Sequence, residues 1–381
     1  MAVEFSNSGQ AVPISALVTD DEGALAAAFL HYRAAGDSGF VAGAMEISSV
    51  DDTTFAVEGF LPGDIITDSG TEYFITAIDT HGVQSRLPSA GIISIRAQIT
   101  GSGLTKTSPQ PGGSAQTGYR LISMPLELDD QSPETVLGDD LGAYDAARWR
   151  LFQWVATPTG GVAKLEFPRT SAMAAGTAFW LIVKESGKTL DSGPGATVST
   201  AEDYEVQVAT GWNLIGNPFN FPTIVDSRLS DGSRFSLFSY DVNGWSTELD
   251  PETTLLMPFE GYAVSSPTNS SLLIKATPFA AQSVVSKQQA TNKSDLFWSI
   301  RIRAQCQNAR DNNNILAVAE EAMREWDPLD HPEPPAVGEY VSVSFAHPEW
   351  NRSNIHFSTD IRPFPLHGEE WEFEVKTYIR D

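Results

Sequence analysis

The sequence predicts an all-β protein made of tandem β-sandwich modules, the first immunoglobulin- or fibronectin-III-like and the central one an internally duplicated β domain. Three observations carry this. Short runs rich in β-branched and aromatic residues recur along the chain, each bounded by Gly, Pro, Asn or Asp. One motif occurs twice: GYRLISMPLEL begins at Gly118, and GWNLIGNPFNF begins 93 residues later at Gly211. Two polar stretches, 101–117 and 279–294, part the chain into three. A length of 381 residues is enough for two to four domains, each with its own core.

Residues 1–100 read as strands joined by turns. AFLHYR (28–33), TFAVEGF (54–60), EYFITAID (72–79) and GIISIRAQI (91–99) are the clearest strands. In the last, Ile93, Ile95, Ala97 and Ile99 share one face, and Ser94, Arg96 and Gln98 the other. Turn formers fall between them: Asp20-Asp21-Glu22-Gly23, Pro62-Gly63-Asp64 and Asp79-Thr80-His81-Gly82. This length and strand number suit an immunoglobulin-like sandwich. GDSGF at 36–40, with His31 and Asp37 close by, imitates the nucleophile loop of trypsin-like proteases. A serine nucleophile needs a histidine delivered from elsewhere in the fold, and His31 stands at a strand end too near to Ser38 in sequence, so the segment reads as a turn.

Residues 101–117 hold no core-forming side chain beyond Leu104 and are expected to be an extended, mobile linker. Residues 118–278 hold the duplicated unit, with copies over about 118–200 and 205–278. RWRLFQW (148–154) and GTAFWLIV (176–183) follow the first motif; RFSLFSY (234–240) and EGYAVSS (260–266) follow the second. Pro125 and Pro218 end their strands because proline gives no ladder hydrogen bond. Neither copy can cover both of its faces alone, so the two are expected to pack as one domain.

Residues 295–381 form a third β-sandwich module. In WSIRIRAQC, Trp298, Ile300, Ile302, Ala304 and Cys306 share one face, which makes the single cysteine a small buried hydrophobe; no internal disulfide can form. YVSVSF (340–345) and WEFEVKTYI (371–379) alternate too, the latter with Trp371, Phe373, Val375 and Ile379 against Glu372, Glu374, Lys376 and Tyr378. Between them, NILAVAEEAMREW (314–326) carries Ile315, Val318, Ala322 and Trp326 at helical spacing and is expected to be a short helix.

Several of these segments carry resemblances. HYRAAGDSGFVAGAM and FLPGDIITDSGTEYFITAIDTHG, followed by Pro88, resemble the immunoglobulin- or fibronectin-III-like modules of large secreted bacterial proteins, which implies a spacer or presentation role. GWNLIGNPF and PFEGYAV resemble a region of multidomain secreted and cell-surface bacterial proteins, notably cargo of the type IX secretion system. There it commonly precedes a C-terminal sorting module, which is missing from the end of this sequence; no enzymatic activity comes with the resemblance. DPLDHPEPP, with HPEW and DIRP, resembles a module near the C-termini of secreted bacterial hydrolases and surface proteins. Further strands normally follow in that module, so an unpaired edge is expected, open to another chain or segment.

A net charge of −25 repels phosphate backbones and anionic membranes, so neither nucleic acid nor membrane insertion is expected. No apolar run approaches a membrane span and no leader opens the chain, which reads as a mature or excised piece. GxSxG, HExxH, CxxC pairs, P-loops and dinucleotide fingerprints do not occur. With 49 carboxylates, an acid pair cannot be argued from spacing. The six histidines show no metal spacing, and His347 and His356 read as loop residues.

Calcium takes oxygen ligands from acidic loops, and Asp311, Asn313, Asp327, Asp330 and Glu333 form the densest candidate group. Asp129, Asp130, Asp139 and Asp140 form another, while DVNG (241–244) reads as a hairpin turn. Trp350, in HPEWNRSN, and Trp245 are the candidate platforms for stacking a sugar. The expectation is a non-catalytic extracellular or cell-surface protein with a structural, adhesive or assembly role. It needs no cofactor other than the candidate calcium, and its partners are other chains or copies of itself, met through edge strands. The alternative is a carbohydrate-binding accessory region of a secreted hydrolase, with polysaccharide as partner.

Overall fold

The computed structural model describes residues 5–21, 24–157, 162–277, 296–365 and 368–379. The polar connection at 279–294, the Glu22-Gly23 half of the first turn and His367 lie outside them. Strands make up nearly all the regular structure. The first nine are β1 (Phe5–Asn7), β2 (Val12–Thr19), β3 (Leu25–Ala34), β4 (Val41–Ala44), β5 (Glu46–Ser49), β6 (Thr54–Leu61), β7 (Thr71–Asp79), β8 (Gln84–Leu87) and β9 (Ile93–Ile99). They form a sandwich. One sheet runs β4-β3-β7-β9, with β8 on β7 and β1 parallel to β9, and the other runs β2-β6-β5. Alternate side chains from both sheets, among them Leu30, Val57, Leu61, Ile75 and Ile95, fill the core between them.

The first copy of the duplicated unit contains β10 (Tyr119–Ser123), β11 (Glu127–Leu128), α1 (Pro133–Leu141), β12 (Trp149–Ala156), β13 (Val162–Glu166), β14 (Ala178–Val183) and β15 (Gly195–Ala196). The second contains β16 (Tyr204–Val208), β17 (Gly211–Gly216), β18 (Ser236–Phe238), β19 (Tyr240–Asp241), β20 (Gly244–Trp245), β21 (Gly261–Ser266) and β22 (Ser270–Ile274). Both copies order their three main strands the same way: β10-β14-β12 and β17-β21-β18, antiparallel throughout. Register repeats as well. Leu121 faces Trp180 in one copy and Leu214 faces Ala263 in the other, each three residues past its motif glycine.

The copies meet about an approximate two-fold axis where their backbones almost touch. Ser123 N donates to Phe259 O at 3.1 Å, and its counterpart Gly216 N donates to Gly176 O at 3.0 Å. A Cβ built on Gly216 would overlap that of Ser123, and one on Gly261 would lie 2.7 Å from the Ala178 Cβ. These pairs are the same two positions of the repeat seen from either side. Beside the crossing, Trp154 and Trp180 of the first copy interlock with Trp212, Phe238 and Tyr240 of the second. The Trp180 and Tyr240 rings meet edge to face at 4.8 Å.

GWNLIGNPFNF ties these layers together residue by residue. Gly211 opens it at a φ of 92°, a conformation that glycine adopts without strain. Trp212 enters the shared aromatic cluster and Ile215 enters the second copy's own core. Fully buried Asn217 shapes the loop after the strand: its Nδ2 donates to Phe221 O and Leu256 O, both at 2.8 Å, and its Oδ1 accepts from Phe219 N at 2.9 Å. The tip then reaches the first module. Ser69 Oγ donates to Asn220 O at 3.0 Å, and Phe221 packs so tightly on Gly36 that a Cβ there would stand 2.7 Å from its own.

The first module and the duplicated domain also share a sheet, which runs on from β9 to β15 and then β11. The linker expectation is corrected here. Residues 101–117 are extended, but they are packed rather than free. Lys106 N and Gln110 N donate to Leu190 O and Lys188 O at 2.8 and 2.7 Å, and Leu104, Lys106 and Gln110 are buried. Their partners are backbone groups, which side-chain composition does not advertise.

The third module contains β23 (Leu296–Cys306), β24 (Ala309–Ala319), β25 (Tyr340–Ala346), β26 (His356–Phe357), β27 (Thr359–Arg362) and β28 (Glu374–Tyr378). Its two sheets, β23-β24-β27 and β26-β25-β28, close over Leu316, Phe345 and Phe357. The helix expected at 314–326 does not form, because its first half belongs to β24. That strand pairs on both sides and is buried on both faces, so its apolar run is continuous instead of alternating. Cys306 is only half-buried, and Trp298 and Ile300 on the same face are exposed, because little covers β23.

Replacing Gly216 by alanine is predicted to destabilise the fold by about 2–3 kcal/mol, the usual cost of overpacking. Adding Ser123→Gly should restore part of that loss, since the two positions share one space. Urea denaturation of the single and double variants checks it; independent, additive effects would contradict the crossing.

Candidate functional site

The third module docks on the duplicated domain through a polar seam, and the seam gathers residues from two of the sequence groups. Arg310 N donates to Gln116 Oε1 at 2.9 Å, Asn313 Nδ2 donates to Trp245 O, and His331 Nε2 lies 2.9 Å from Glu248 Oε2. Asp311, Asn313, Glu333 and Trp245 line one small cavity of about 30 Å³, room for a water molecule or a bare cation. Burial raises the Glu333 carboxyl well above its usual range, and neighbouring Asp311 adds to the rise. Asp311 is itself raised by burial, while its Oδ2 accepts from Val343 N at 2.6 Å.

The other two candidate ligands stand apart from this cavity. Asp327 accepts from Met323 N and Leu329 N, both at 2.7 Å, and Asp330 from Asp327 N and Ile361 N at 3.1 and 3.0 Å. Both carboxylates are buried and spend their oxygens on the backbone, where they pin the loop before β25 to β27. Asp330 is pushed up to about 7 by burial, with Asp327 and Asp360 adding to it.

The second acidic group divides as well. Asp130 ties down the start of α1 by accepting from Ser132 N and Thr135 Oγ1, both at 2.9 Å. Asp139 and Asp140 instead meet Asp191, with carboxylate oxygens of all three within 4.8 Å. Asp140 accepts from Asp191 N at 2.7 Å, and burial pushes it up to about 6. An all-oxygen donor set of this kind suits a hard cation. Asp191 opens the DSGPG stretch that leads into β15, and the sequence gives no sign of this company.

Neither tryptophan presents a free ring. Trp245 packs among Trp154, Trp180 and Tyr240. Trp350 has His347 stacked on one face at 3.7 Å, and its Nε1 donates to Arg324 O at 3.3 Å. As sugar platforms both are therefore corrected to packed rings. His347 is a loop residue held between Glu349 at 2.7 Å and Asp360 at 3.1 Å, whereas His356 lies in β26 rather than in a loop. His31, within β3 and outside the GDSGF segment, bonds Thr76 Oγ1 at 2.9 Å and stacks on Phe74, so it is not aligned to activate Ser38.

What sequence reasoning located only in outline is the pair of open edges. Among the described residues, β23 and β28 each end their sheet. Phe297, Ile300, Phe373 and Val375 are between 47% and 70% exposed along them. Trp298 of β23 meets Trp371, which precedes β28, ring to ring at 5.5 Å. No family model matches the chain, and no curated protein matches it either. No helix among the described residues is long and apolar enough to cross a membrane.

The buried acids fix a pH dependence. A carboxyl raised in the fold keeps a proton that the unfolded chain has already lost. Stability therefore falls as pH rises from the ordinary carboxylate range towards about 7, the value for Asp330, by at most about 1.4 kcal/mol per unit and per group. Glu333→Gln keeps the acceptor for Ser342 while removing the charge. Its melting temperature is predicted to exceed that of the parent at pH 8 and to converge with it at pH 4; parallel profiles would contradict the assignment.

Proposed function

We propose that this chain is a non-catalytic extracellular or cell-surface component with a structural and adhesive role, and that it assembles with other chains through the edges of its third module. The single observation that carries this is the complementarity of the two open strands. On β23, Trp298, Ile300 and Ile302 point one way while Arg301 and Arg303 point the other. Along β28 and its approach, Phe373 and Val375 point one way while Glu372 and Glu374 point the other. Pairing β23 of one copy with β28 of the next would match apolar face to apolar face and arginine to glutamate. Glu374 already holds Lys376 at 2.7 Å, an exposed pair that is easily exchanged.

The body behind the edges supports the same reading. A sheet shared across the first boundary and a polar seam at the second make a stiff spacer, which suits presentation or force transmission better than chemistry. The sequence resemblance to secreted and cell-surface modules agrees with this role, and type IX export is the route it suggests. A carbohydrate-binding accessory role is the second reading, and a basic cavity described below favours keeping it.

Light scattering over a concentration series tests assembly. Association is predicted for the parent chain and is lost in Arg301→Glu/Arg303→Glu. Mixing that variant with Glu372→Arg/Glu374→Arg should restore it through the swapped charges. A chain that stays monomeric at the highest attainable concentration would overturn the proposal.

A further inference from the structure

A second cavity, of about 370 Å³, opens where the duplicated domain meets the third module. It is lined by Arg148, Arg150 and Lys184 from the first copy's sheet, with Tyr119, and by Glu339 and Tyr378 from the third module. Three cations to one acid is a reversal in a chain with 24 Lys and Arg against 49 Asp and Glu. Arg150 is neutralised by Glu166, which accepts two hydrogen bonds at 2.6 and 2.8 Å. Arg148 and Lys184 have no ion-pair partner among the described residues.

Those two side chains also stand directly opposite each other. Trp149 pairs with Val183, and Lys184 N donates to Arg148 O at 2.7 Å, so the charges face one another across the ladder. Like charges opposed across strands cost stability, and a net charge of −25 offers many acids that could have relieved them. Among the described residues none does, although the cavity beside them is of ligand size. Planar guanidinium and mobile ammonium together suit a carboxylate. The Tyr378 ring at the rim, 48% exposed, offers a flat apolar surface of the kind on which sugar rings rest. The overall negative charge repels polyanions, which confines the choice to a small ligand with a single charge.

We infer that this cavity, shared by two modules, is a binding site for a carboxylate-bearing sugar unit of the uronic acid class, with Arg148 and Lys184 holding the carboxylate and Tyr378 supporting the ring. The site deepens the adhesive side of the function proposed above, on which it rests. Isothermal titration calorimetry of the full chain with D-glucuronate, D-glucose and inorganic sulfate tests it. Saturable binding of glucuronate is expected, at least tenfold tighter than glucose or sulfate and weakened by salt. Arg148→Ala/Lys184→Ala should reduce it at least tenfold while leaving the melting temperature unchanged or raised, because the cross-strand repulsion is gone.

Glucuronate binding that is absent, or that survives the double variant, would overturn the assignment. Sulfate bound as tightly as glucuronate would overturn the sugar and leave a site that reads charge alone. Self-association lost in Arg148→Ala/Lys184→Ala, with no glucuronate bound, would replace the sugar by an acidic segment of a second copy. Edge assembly is read separately from the concentration series of the β23 and β28 variants, so either idea can fail while the other stands.

Discussion

The close approach of two backbones at Ser123 and Gly216 is the constraint on which the rest of this molecule depends. Only a glycine fits opposite Ser123, and the same crowding recurs between Gly261 and Ala178. Because these are equivalent positions of a repeat, one steric requirement sets the relative placement of both copies. That placement brings two sets of aromatics into a single cluster, with Trp212 from one copy and Trp154 and Trp180 from the other. The motif that supplies Gly216 also supplies Trp212, Asn217 and Phe221, so a single stretch of chain sets the crossing, the shared core and the contact with the first module.

From this follows the character of the whole. Backbone hydrogen bonds and apolar packing together join the first module to the second: β9 passes its ladder to β15, residues 103–110 continue along 188–193, and Ala97 and Ile99 of β9 enter the first copy's core. Ladders of this kind resist bending because each bond is directional. The third module is joined by individual polar contacts, including His331 with Glu248 and Asn354 with Ser265. At its far side β23 and β28 each keep one open edge among the described residues. Stiff joints and two open edges are the features on which the proposed role as a spacer or assembly unit rests.

Much of the fold was legible because its signals are local. Period-two alternation marked β9, β23 and β25, and the repeated motif marked the two copies before any pairing was known. The failures share one cause: they depend on what packs against a segment from far away. Residues 101–117 look like a linker because their partners are mostly backbone groups of 184–193, far off in sequence. Residues 314–319 look helical because burial on both faces erases the alternation. Trp245 and Trp350 look like platforms because a ring beside a turn is the same in sequence whether or not other rings close over it. For the acids, proximity in sequence was a poor guide. Asp311 and Glu333 converge across the module, while Asp327 and Asp330 are consumed by their own backbone.

Native-state hydrogen exchange across residues 93–113 measures most directly whether the first module and the duplicated domain are one body. The amides of Leu104, Lys106 and Gln110 donate to Ser192 Oγ, Leu190 O and Lys188 O, so they should be protected as strongly as those of β9 and exchange in the same opening event. Exchange of these three amides at the rate of an exposed chain, with β9 still protected, would show two modules on a free tether and contradict the account.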